Sequence, residues 1–143
     1  MTSYAEIFNR ALRTIDDPSL AQWPEEDLSN ALYGWLESAI SKIPQVRAET
    51  AARDAFDAAT ADTLGFTTDL SDVTKEVLAL GMKRAWLAPQ ITSTLNTWQR
   101  FSKKEGYSQA EHLKQLMALD ENIKVEIRKL LRDDSYVDSD YFD

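Results

Sequence analysis

Apolar residues recur every three or four positions through most of this chain, and each such run predicts a helix. Tyr4, Ile7, Phe8, Ala11, Leu12 and Ile15 form a single stripe. Ser3 and Glu6 stand at capping-box spacing at its start, where their side chains can satisfy two unpaired amides. Pro18 disfavours the helical conformation at Asp17 and closes this first helix. A second stripe runs through Leu28, Leu32, Trp35, Leu36, Ala39, Ile40 and Ile43, between Pro24 and Pro44. Proline suits a helix start, and Glu25, Glu26 and Asp27 lie where the helix dipole favours negative charge. Gly34 falls inside this helix at a cost of about 1 kcal/mol relative to alanine. Burying one leucine returns roughly 1.5–3 kcal/mol, so the stripe outweighs it.

The third run follows "DLSD", with Ser71 as its cap. Val73, Val77, Leu78, Leu80, Gly81, Ala85, Trp86 and Leu87 leave little polar surface, which predicts a central helix with neighbours on several sides. Pro89 is expected to break or kink it, and "QITSTLNTWQRF" continues either extended or as a short helix. The fourth starts at "YSQAEHLKQL", where Ser108 and Glu111 repeat the capping-box spacing. Leu113, Leu116, Met117, Ile123, Ile127, Leu130 and Leu131 supply its inward face, with Lys129 and Arg132 suited to the negative pole at its end. Residues 45–70 carry small, thinly spread apolar side chains and read as a partly helical, exposed connection. The expected fold is all-α: a bundle of about four helices with a long mid-chain loop and an extended C-terminal tail. It divides into a helical domain, 1–132, and an acidic, aromatic arm, 133–143.

Composition narrows the chemistry. Four Gly and four Pro among 143 residues are too few for an all-β fold. The chain has no cysteine, which removes disulfides, thiolate metal sites and cysteine nucleophiles. Neither a signal peptide nor a membrane span is legible, so a soluble protein made in the cytoplasm is expected. The formal charge of −8 repels phosphate, which argues against sequence-independent nucleic-acid binding.

Catalytic candidates are sparse. His112 is the single histidine, and no motif supplies partners for it. Acidic pairs stand at helix starts, where they already serve the dipole, or in the tail, which lacks the rigidity of a metal site. Glycine-rich phosphate loops and nucleophile elbows are absent, so neither an enzyme nor a cofactor is expected. Lys83, Arg84, Arg100, Lys103 and Lys104 flank Trp86, Trp98 and Phe101, a mixture that can signal nucleic-acid binding. At helical spacing the aromatics are more simply core and the bases a solvated edge. Arg100, Lys103 and Lys104 also make a basic segment able to meet an acidic one on a neighbour.

That acidic segment is present in "RDDSYVDSDYFD", residues 132–143. It cannot bury enough surface to fold alone and is expected to order on a partner. Tyr136, Tyr141 and Phe142 are its anchors, with much contact area and few rotamers to freeze, and Val137 is counted with them as partner-binding. Asp138 and Asp140 keep it soluble and steer it to a basic groove.

Several stretches resemble the small helical head–tail connector (neck or adaptor) proteins of tailed bacteriophages. They are "IDDPSL", "DLSNALYGWLESAI", "DLSD" before a helix, "WLAPQI" with Pro89, "YSQAEHLKQL" and the aromatic "YVDSDYF". The likeness covers most of the chain outside 45–65, which is richer in alanine than the family pattern. It implies a structural virion protein at the head–tail junction. Such proteins form a homo-oligomeric ring, commonly of twelve subunits, between the portal protein and a further neck or tail protein. DNA passes through the ring without specific binding, and the C-terminal segment docks on a neighbouring protein. The alternative from the residues alone is a small acidic regulatory protein that binds one basic protein partner.

Overall fold

The computed structural model describes residues 1–98 and 103–140, with side-chain surroundings for 1–96 and 110–134. The fold is mainly α. Strand β1 (Thr2–Ser3) leads into α1 (Tyr4–Thr14), followed by α2 (Glu25–Lys42), α3 (Arg47–Thr50) and β2 (Gly65–Phe66). Two long helices follow, α4 (Asp72–Trp98) and α5 (Lys103–Asp140). As the pattern predicted, α4 is central and packs against α1, α2 and α5. Val77, Leu78, Ala79, Met82 and Leu87 are fully buried along it.

Strands β1 and β2 pair antiparallel, Thr2 opposite Phe66 and Ser3 opposite Gly65. This clamp also solves the problem of the unpaired amides that open a helix. Ser3 Oγ accepts from the Glu6 amide at 3.2 Å, while the Tyr4 and Ala5 amides donate to the carbonyls of Leu64 and Ala61. Half of the expected capping box therefore forms. The Glu6 carboxylate turns instead to Lys75 on α4, 3.0 Å away.

Residues 45–70 are not the exposed connection expected. Val46, Thr50, Ala61, Phe66 and Leu70 are buried, and Phe56 packs against the core. Phe56 stacks on Tyr33 with centroids 4.3 Å apart and also meets Tyr4 and Phe8 edge-on. Glu49 reaches the start of α4, where it accepts from the Ser71 amide at 3.2 Å and the Thr74 hydroxyl at 2.9 Å. Ser71 is the cap of α4 as predicted, its hydroxyl accepting from the Thr74 amide. Sparse apolar spacing hid this segment because its contacts come one residue at a time, from turns and not from a helical face.

Three further expectations are corrected. Pro89 does not break α4, which continues to Trp98, so of the two alternatives for "QITSTLNTW" the helix holds and the extended one falls. Helix α5 begins at Lys103, which places Ser108 and Glu111 inside it and not at its cap. It also runs past Lys129 and Arg132 to Asp140, with no basic residue in its last turn, so the segment 133–140 is helix and not an extended arm.

Candidate functional site

The residues expected to bind a partner are placed only by backbone. Lys103 and Lys104 open α5, and Tyr136, Val137, Asp138 and Asp140 lie in its last two turns. Arg100, Tyr141 and Phe142 lie outside the described residues. At 1.5 Å per residue, Lys104 and Tyr136 stand about 48 Å apart along one helix. One helix therefore keeps the basic and acidic segments of a single chain apart.

Between these ends α5 is anchored by its middle. Ile123 and Ile127 are buried, and Leu116, Leu119, Leu130 and Leu131 pack beside them. Arg84 of α4 donates to Asp120 at 2.8 Å, and Lys124 lies 3.7 Å from the same carboxylate. Glu121 pairs with Arg128 at 3.2 Å.

A concave groove runs from the seam of α2 and α4 to the place where α5 joins them. Gly81 allows α2 and α4 to touch, since a Cβ there would fall 2.7 Å from the Ala39 Cβ. Beyond that contact the helices leave a cleft of about 830 Å³, walled by Trp35, Ser38 and Lys42 from α2 and by Ala85, Ala88, Pro89 and Thr92 from α4. Lys42 also lines the next two hollows, about 240 Å³ and 270 Å³, which carry the groove past Ile43, Arg84 and Ile127 to Lys124, Arg128 and Leu131. Four bases thus line a groove whose nearest acids are Asp120 and Glu121, an excess of positive charge on an acidic protein. Lys42 is exposed and has no ion-pair partner among the described residues.

Sequence reasoning missed this groove, although Arg84 was noted. Gly81, Ala85 and Ala88 share one face of α4 at spacings of four and three, which signals close helix approach. Lys42 meets Lys124 and Arg128 only through the fold, from more than eighty residues away in sequence.

Little else suggests chemistry. His112 is exposed on α5. Among the described residues no group of three His, Cys, Asp or Glu is placed to hold a metal ion, and no buried side-chain nitrogen or oxygen lacks a hydrogen-bond partner. No described helix is long and apolar enough to cross a membrane. Searches of family models, curated proteins and solved structures match nothing to this chain.

Proposed function

We propose that this chain is a structural subunit of a tailed-bacteriophage head–tail connector, a ring that links the portal protein to the next neck or tail protein. The resemblance of "WLAPQI", "YSQAEHLKQL" and "YVDSDYF" to that family motivates the reading. The observation that carries it furthest is the placement of α5. Its middle packs on the body, while Lys103 and Lys104 open one end and Asp133, Asp134, Asp138 and Asp140 fill the other. Aspartates at a helix C-terminus oppose the helix dipole, so the isolated helix end is weakened by its own charges. Such a cost is relieved when an adjacent subunit supplies positive charge. Contacts of this head-to-tail kind, repeated by rotation, generate closed rings.

In this reading the acidic subunits continue the DNA channel without gripping the DNA. The terminal segment docks on a neighbour, and the mature protein resides in the virion. The test is recovery of the tagged chain from a phage lysate, in full length and ending at Arg132. Co-purification of portal, capsid or tail proteins supports the connector. Recovery of a single soluble basic protein, with no particle proteins, overturns it in favour of the acidic regulator.

A further inference from the structure

We infer that the groove between α2, α4 and α5 is the receptor for the acidic, aromatic end of α5 from a second copy of the chain. The inference deepens the connector reading and rests on it for the ring, but not for the contact itself.

Three observations carry it. First, the groove is basic where the rest of the molecule is acidic: Lys42, Arg84, Lys124 and Arg128 converge on it, and Lys42 is left without a partner among the described residues. Second, its mixed lining includes apolar surface on which aromatic anchors can rest. Trp35 and Pro89 flank the wide cleft, and Ile43 and Leu131 flank the narrow end. The segment from Asp133 to Phe142 supplies four aspartates and three aromatic rings, the complement of both properties. Third, the chain cannot fill its own groove. Leu131 forms one wall, and α5 continues from it to Asp140, about 13 Å further along the axis. Tyr141 and Phe142 span at most about 7 Å. The helix that builds the wall therefore carries its own end away, and the complementary segment must come from another molecule.

Each copy would then give one end and receive one, a heterologous contact that propagates. Asp120 and Glu121 limit the positive excess, so the contact should be salt-sensitive.

Complementation of two full-length variants tests it. In the groove variant Lys42→Gln and Arg128→Gln remove two exposed charges; in the end variant Tyr141→Ser and Phe142→Ser remove two anchors. Sedimentation should find the wild type associating, with each variant at least tenfold weaker alone. An equimolar mixture should form heterodimers and nothing larger, because one intact groove meets one intact end. Unchanged circular dichroism melting separates this from misfolding. A groove variant that assembles like wild type, a mixture without heterodimers, or a wild type that stays monomeric at every concentration overturns the inference. If the groove variant still enters phage particles, the groove falls and the connector stands. Heterodimers from a chain never found in particles leave the groove standing and remove the connector.

Discussion

Arg84 on α4 and Asp120 on α5 form the one ion pair that ties α5 to the body among the described residues, at 2.8 Å and with side chains 31% and 21% exposed. It lies beside Ile123 and Ile127, the most deeply buried of the described α5 side chains. At this intermediate exposure, breaking the pair strands a partly desolvated guanidinium.

Asp120→Ala should accordingly cost about 1–2 kcal/mol in urea unfolding. Arg84→Met should cost less, since Asp120 still has Lys124 3.7 Å away and methionine keeps the packing volume. A larger loss for Arg84→Met than for Asp120→Ala would show that the guanidinium's other contacts matter more than its charge.

Two glycines should respond in opposite directions. A Cβ on Gly34 meets nothing within 4 Å, so Gly34→Ala should raise stability by up to about 1 kcal/mol, the ordinary helix-propensity gain. At Gly65 a Cβ would lie 2.2 Å from the Thr2 carbonyl oxygen and 2.7 Å from the Ser3 Cα, both backbone atoms that cannot swing aside. Gly65→Ala should force β1 from β2 and cost about 2 kcal/mol or more. Paired thermal melts check both.

Asp17 receives the Ser19 hydroxyl at 2.7 Å and the Trp86 indole N–H at 3.1 Å, and these bonds hold its carboxyl below the ordinary value of 3.8. A lowered folded pKa stabilises the fold above pH 3.8 and ceases to do so as the pH falls through the folded value. Ser19→Ala should raise the Asp17 pKa more than Trp86→Phe, because the Ser19 bond is the larger influence. Carbon-detected NMR titration of the carboxyl reads the order directly, and the reverse order would refute it.

Tyr4 titrates at the other end of the scale. Burial, with the Tyr33 phenol next in importance, pushes its hydroxyl from 10.0 up to about 12, and the hydroxyl donates to the Asp54 carbonyl. The neutral form is the one the fold accepts, so its contribution is complete below pH 10 and is lost as the pH rises towards about 12. Phenolate absorbance should show one tyrosine that stays neutral until the protein unfolds. Tyr4→Phe removes the donor from a partly buried carbonyl and should cost about 1 kcal/mol.

The helices were readable because their apolar residues repeat with the period of a helix, as in Tyr4, Ile7, Phe8 and Ala11. Helix ends were less readable. Pro89 suggests a break or a kink, yet α4 runs through it unbroken, since Leu87 and Ile91 pack on the core on either side of the proline. Ser108 and Glu111 have the spacing of a cap but lie inside a helix begun five residues earlier. The segment 45–70 was misread because Val46, Thr50, Ala61 and Phe66 are buried by contacts distant in sequence, for which no local period exists. The groove was illegible for the same reason: its bases belong to three helices.

The pairing of β1 with β2 has a consequence for synthesis. Thr2 receives the Leu70 amide on its hydroxyl, and the Tyr4 and Ala5 amides depend on carbonyls at 64 and 61. A ribosome delivers these partners only after about sixty further residues, several seconds at ordinary elongation rates. Until then the first helix has a sticky face of Tyr4, Ile7 and Phe8 and no cap beyond Ser3. The clamp on the first helix therefore closes only once β2 has left the exit tunnel, and until then Ser3 is its sole cap.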